Sequence, residues 1–251
     1  MSWRAIGSAT LLLALLAGCV TEGLDVPEPA SKADRVQAQI NLARGYLEST
    51  DPSRARTPLE NALKIDPGSA DALGLFAVYY QRESEPGIAE QYYKRALRAD
   101  PRHARNLNNY AALLFGQGRY REALGPLETL VEDTSYRGRP MAYETLGLTQ
   151  LQLGRTAPAQ AAFTRALALN PELPASNLEL ADLAYRAADY ATASQHYELF
   201  RARARQTPRS LCLGINLAVA TGDVDQRASY EIALRNLYPD SPEAAGCIHG
   251  R

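Results

Sequence analysis

The sequence predicts an all-α fold: a right-handed superhelix of six helical hairpins stacked along one axis. Three observations lead there. Asp66-Pro67 and Asp100-Pro101 lie 34 residues apart, and Asn170-Pro171 closes a third segment of the same kind. The stretches leading into these pairs are alike: Asn61-Ala62-Leu63-Lys64-Ile65, Lys94-Arg95-Ala96-Leu97-Arg98 and Thr164-Arg165-Ala166-Leu167-Ala168. Registered on those prolines, repeats begin at residues 36, 70, 104, 140, 174 and 208, and four side-chain columns not used to set the register then fall into step.

The first helix of each hairpin needs a small residue at its eighth position, where its partner helix approaches. The first five repeats supply Ala43, Ala77, Ala111, Gly147 and Ala181. The second helix has the same need at position 20, met by Ala55, Ala89, Ala123, Ala159 and Ala193. Position 7 is to be large and apolar, and reads Leu42, Phe76, Tyr110, Leu146 and Leu180. Position 24 reads Leu59, Tyr93, Leu127, Phe163 and Tyr197. Such columns resemble the tetratricopeptide pattern, in which no single hairpin buries both faces and each unit covers the next.

The repeats are placed at 36–69, 70–103, 104–139, 140–173, 174–207 and 208–241, inside a superhelical body at 34–242 with a tail at 243–251. Turns within hairpins are expected at Asp51-Pro52, Gly118-Arg119 and Leu153-Gly154-Arg155. The third repeat is two residues longer than its neighbours, through Glu132 to Pro140. The sixth is degenerate, with helices expected over 211–220 and 228–237, as suits a terminal unit facing water. Pro58 and Pro126 both fall at position 23, so each second helix either starts late or is kinked there.

Residues 1–18 differ from this body. Arg4 gives a positive start, Ala5 to Ala17 form an uncharged apolar run, and Leu16-Ala17-Gly18-Cys19 closes it. That is a secretory signal, too short for a comfortable membrane span. The closing tetrapeptide resembles a bacterial lipobox, which implies cleavage after Gly18 and lipidation of Cys19. Val20 in place of Asp favours the outer membrane by resemblance to the enteric sorting rule. Residues 19–33, with two prolines and no apolar stripe, read as a tether. Loss of Arg4 leaves 26 basic against 28 acidic residues, a formal charge of −2. With no basic field for nucleic acid or membrane, the lipid would do the anchoring.

No catalytic motif is legible. His103, His196 and His249 share no helical face, and no metal, phosphate-loop or nucleophile-elbow pattern occurs. The chain is therefore read as a non-enzyme without cofactor, metal or small-molecule substrate. Cys212 and Cys247, an even pair in an oxidising compartment, are expected to form a disulfide that staples the last repeat. Function is expected on the concave groove, where positions 2, 5, 9 and 12 of the first helices point. The candidate contacts are Ile40, Arg44, Leu47, Val78, Gln81, Asn108, Asn109, Phe115 and Glu144. For the Asn108-Asn109 pair two roles stand equally: holding a ligand backbone, or bonding the neighbouring repeat.

Longer runs resemble a particular family. Leu107-Asn108-Asn109-Tyr110-Ala111-Ala112-Leu113-Leu114-Phe115, Gln117-Gly118-Arg119-Tyr120-Arg121-Glu122-Ala123, Arg209-Ser210-Leu211-Cys212-Leu213-Gly214-Ile215 and Leu237-Tyr238-Pro239-Asp240-Ser241 are similar to the type IV pilus biogenesis and stability lipoproteins, the PilF/PilW family. The resemblance implies a pilotin on the periplasmic face of the outer membrane. Its partner would be a pilus secretin subunit, bound through the groove and promoted to localise and multimerise. A different periplasmic adaptor, serving outer-membrane protein assembly or cell-wall enzymes, is the other reading of the same features.

Overall fold

The computed structural model describes residues 30–242 and 246–247. The signal stretch 1–18, Cys19 and the tether up to residue 29 lie outside the described residues. Twelve α-helices pair into six hairpins, and no strand occurs among the described residues. They are α1 Lys32–Glu48 and α2 Arg56–Ile65, α3 Ala70–Arg82 and α4 Pro86–Ala99, α5 Ala104–Gly116 and α6 Tyr120–Glu132. The second half holds α7 Arg139–Gln152 and α8 Thr156–Leu169, α9 Pro174–Arg186 and α10 Tyr190–Arg201, α11 Pro208–Thr221 and α12 Val224–Leu237.

Local chemistry sets the helix ends. Ser31 and Asp34 form a reciprocal capping box on α1, and Thr207 and Ser210 do the same on α11. Ser69, Asp189 and Asp223 each accept a backbone N–H from the first turn of α3, α10 and α12. The turn inside each hairpin from the second to the sixth places one residue in the left-handed region, always at position 15. Gly118, Gly154 and Gly222 do so at φ 73°, 71° and 78°, but Ser84 and Ala188 occupy the same conformation at 61° and 58°. The first hairpin turns differently, through a 3-10 segment at Pro52–Ala55.

The two prolines at position 23 have different outcomes. Pro58 is in the first turn of α2, because the 3-10 segment delays the α-helix to Arg56. Its missing N–H is one that the first turn leaves unpaired in any case. Pro126 lies inside α6, which continues past it to Glu132.

The side-chain columns form the core. The alanines at positions 8 and 20 are fully buried, as are Leu59, Tyr93 and Phe163 at position 24. Gly147 substitutes for alanine because a Cβ there would stand 2.6 Å from the Phe163 ring. Position 7 seats against the preceding hairpin: the Tyr110 ring lies 5.9 Å from that of Tyr93. Phe76, Tyr110, Leu146 and Leu180 are accordingly buried, each side chain worth about 1.5–3 kcal/mol. Leu42 departs from its column and is 48% exposed, since among the described residues no hairpin precedes α1 to cover it.

The far end is finished differently. Asp223 starts α12 at Val224, four residues ahead of the expected Ala228. At positions where inner repeats place alanine and a large apolar residue, α12 carries Arg227 and Glu231, joined at 2.8 Å, and Arg235 extends the pairing. Cys212 of α11 is joined by a disulfide to Cys247, with Cα atoms 5.6 Å apart. Tyr238 Oη adds a hydrogen bond to the Gln206 carbonyl at 2.7 Å.

Candidate partner-binding groove

Polar links tie three pairs of successive first helices, α3 to α5, α7 to α9 and α9 to α11. Arg105 Nη1 donates to Asp71 Oδ1 at 3.1 Å, joining residues 34 apart in sequence. Glu144 accepts from the Ser176 backbone N–H at 2.9 Å and from its hydroxyl at 2.8 Å. Arg209 reaches back to Glu179 and Asp182. Asn106, almost fully buried, donates to the Ala70 carbonyl at 2.9 Å. It fits only because residue 74 is glycine, where a Cβ would stand 1.9 Å from Asn106 Oδ1.

The expected groove residues divide into three groups. Ile40 and Leu47 are 2% and 3% exposed, so they are corrected to core residues. The cause is packing of α1 against α3: both side chains join a cluster with Ala72, Leu75 and Tyr79. A second group is half-buried and already engaged. Gln81 accepts the Tyr93 phenol at 2.6 Å, and Glu144 holds Ser176 as above. Val78 sits between the first and central clusters, and Phe115 meets the Tyr120 ring edge-on at 5.2 Å. Asn109 is also turned inward, to Tyr93 of the preceding hairpin, where its hydrogen bond opposes the upward push of burial on the phenol pKa.

The third group, Arg44 and Asn108, faces space. Asn108 lines an open cleft of ≈ 440 Å³ with Asp71, His103, Ala104, Arg105 and Tyr136. Of the two expected roles the structure shows one: Asn109 bonds the neighbouring repeat, and Asn108 is left at the edge of the cleft. Arg44 is half-exposed, and its charge acts on Asp71 through space. His103 hydrogen-bonds Asp71 and is the largest influence holding that carboxyl below its ordinary range, aided by Arg105 and Arg44. His103 also caps α5, its Nδ1 accepting the Asn106 backbone N–H.

Two features were missed in the sequence. Glu90 receives both terminal nitrogens of Arg119, at 2.6 and 2.9 Å, together with Lys94 at 2.7 Å and the Tyr110 hydroxyl at 3.3 Å. Those donors, Arg119 first, hold its carboxyl down to about 2. Residues 29 apart do not share a repeat position, so nothing in the period signals the pair. The other is the uncovered end of the stack, where Leu42 lies beside Gln39, Tyr46, Thr57, Pro58 and Arg54, whose guanidinium covers the Tyr46 ring at 4.5 Å. The described residues bring together no group of three His, Cys, Asp or Glu side chains able to hold a metal.

A stack of six hairpins with open polar and apolar surface defines a tetratricopeptide-repeat scaffold, and tetratricopeptide-repeat family models match residues 92–125 and 144–208. The type IV pilus assembly protein PilF of Pseudomonas aeruginosa is 43% identical over 235 residues, 93% of each chain. The chain belongs to that family. A solved structure from the functional characterisation of Pseudomonas aeruginosa PilF superposes with a TM-score of 0.81 at 42% identity, covering 88% of this chain and 99% of that one. The structure of PilW, described as a widely conserved type IV pilus biogenesis factor, gives 0.69 at 26% identity, covering 87% and 100%.

Proposed function

We propose that this chain is a pilotin: a lipoprotein that binds the pilus secretin subunit and promotes its localisation and multimerisation in the outer membrane. The observation that carries this reading is the 43% identity to a type IV pilus assembly protein across 93% of both chains. Lipid on Cys19 supplies the anchor, and the hairpin stack supplies the partner-binding surface. Within that surface the first three repeats make the key contact, through Arg44, Asn108 and the uncovered end at Leu42. Val78, Gln81, Phe115 and Glu144 shape the groove from beneath, since each is half-buried or already bonded within the stack.

The test is a deletion strain complemented with variants and scored for secretin multimers and surface pili. Cys19→Ser is expected to leave the protein in the soluble periplasmic fraction, with multimers lost from the outer membrane. Arg44→Glu and Asn108→Ala are expected to weaken secretin capture while the variant proteins accumulate normally. Full multimer assembly by both variants would sink the groove assignment, and normal assembly in the deletion strain itself would sink the pilotin reading.

A further inference from the structure

We infer that the cleft edged by Arg105, Asn108 and Tyr136 receives a carboxylate carried on an extended segment of a protein partner, with Arg105 as its counter-charge. This rests on the reading of the chain as a partner-binding scaffold and adds the chemistry of what it holds. Three observations support it. The cleft is an open volume of ≈ 440 Å³ rather than a packed seam between repeats. Its one lining carboxylate, Asp71, is shared by Arg105 at 3.1 Å and His103 at 3.4 Å, with Arg44 contributing from α1. Arg105 and His103 thus both face the single carboxylate that lines the cleft, while Arg44 acts on that acid from farther off and Asp100 acts on His103.

The third observation is open hydrogen-bonding capacity. Arg105 uses one terminal nitrogen on Asp71 and is half-exposed, so the rest of its donor fork is available for a second carboxylate. The Asn108 amide nitrogen makes only a long bond of 3.3 Å to Asn109, and its oxygen has no partner among the described residues. The Tyr136 hydroxyl also has no hydrogen-bond partner among the described residues, while its ring packs on the central core. An amide that can both donate and accept suits the peptide backbone flanking an acidic group, and a phenol can donate to the acid itself. The two-residue extension of the third repeat gains a purpose here, because it carries Tyr136 to the edge of the cleft.

Asp71 gives the proposal a distinctive signature. It occupies Arg105 as an internal competitor, so removing its charge should strengthen binding of an external acid, an effect no purely structural role would give. The experiment uses the purified full-length chain in detergent, with fluorescence anisotropy of labelled decaglutamate and decaglutamine, each as free acid and as C-terminal amide. Decaglutamate amide binding with decaglutamine amide silent assigns the site to acidic side chains. Binding by free-acid decaglutamine but not its amide assigns it to a chain terminus, and either result supports a carboxylate site. Arg105→Gln is expected to weaken binding about tenfold or more, and Asp71→Asn to strengthen it several-fold. Tyr136→Phe keeps the ring in place and is expected to lose affinity by a smaller factor.

Equal binding of all four probes, or no binding by any, would overturn the proposal. So would an Arg105→Gln variant that binds as well as the parent, or an Asp71→Asn variant that binds more weakly while still folded. Loss of the cleft in this assay with secretin multimers still dependent on Arg44 would leave the pilotin reading standing. Acid binding in a protein whose deletion leaves multimers intact would do the reverse.

Discussion

Single residues decide how closely adjacent hairpins fit. Gly74 has no side chain because Asn106 of the next first helix fills that space and reaches the Ala70 carbonyl. Ala188 sits in the opposite situation, holding a left-handed conformation at φ 58° that three of the other four such turns give to glycine. The two sites should respond with opposite signs. Gly74→Ala is expected to cost about 1–3 kcal/mol, by forcing a close contact at a buried amide. Ala188→Gly is expected to stabilise by about 1 kcal/mol, through relief of the left-handed penalty. Urea denaturation of the two variants checks both, and the same sign for the pair would contradict this account of the turn and the interface.

At the scale of helices, the Glu90 node joins α4 to α5 through Tyr110 and to the start of α6 through Arg119, with Lys94 of α4 pairing alongside. Its carboxyl stands at about 2 rather than the ordinary 4.5. The folded state therefore favours the ionised form, and the stability this brings is complete above the ordinary carboxylate range. It is lost as pH falls from about 4.5 toward 2. Glu90→Gln is expected to cost about 1–3 kcal/mol at neutral pH and to flatten the acid limb of a stability profile. Parallel profiles for parent and variant would show that the node does not couple folding to protonation.

The helices themselves were largely legible in the sequence, because alanine and aromatic columns repeat wherever two helices must approach. What escaped has identifiable physical causes. Leu42 obeys its column yet meets water, since a periodic pattern does not record that no hairpin lies before α1 among the described residues. Ile40 and Leu47 occupy groove positions by count but turn into the core, because α1 packs on α3 as well as on α2. Arg44 and Asn108 kept open surface, whereas Gln81 and Glu144 are engaged by neighbours whose hydroxyls no spacing rule identifies. Arg105 and Asp71, at the same position in consecutive repeats, could have been paired from the period alone.

Over the whole molecule, stability in such an array is a sum of hairpins and the interfaces between them, so each end opens more readily than the middle. Here the two ends are unequal. One finishes in paired charges and a disulfide, and the other leaves Leu42 uncovered. Fraying should therefore run in one direction, with amide hydrogen exchange fastest in α1 and α2 and falling along the chain. Reduction of the Cys212–Cys247 bond is expected to remove about 2–4 kcal/mol from the last hairpin and to make both ends exchange alike. Uniform exchange in the oxidised protein would contradict the difference between the ends. A partner seated on the open end would slow exchange in α1 before any other helix, so the stack reports its own occupancy without a label.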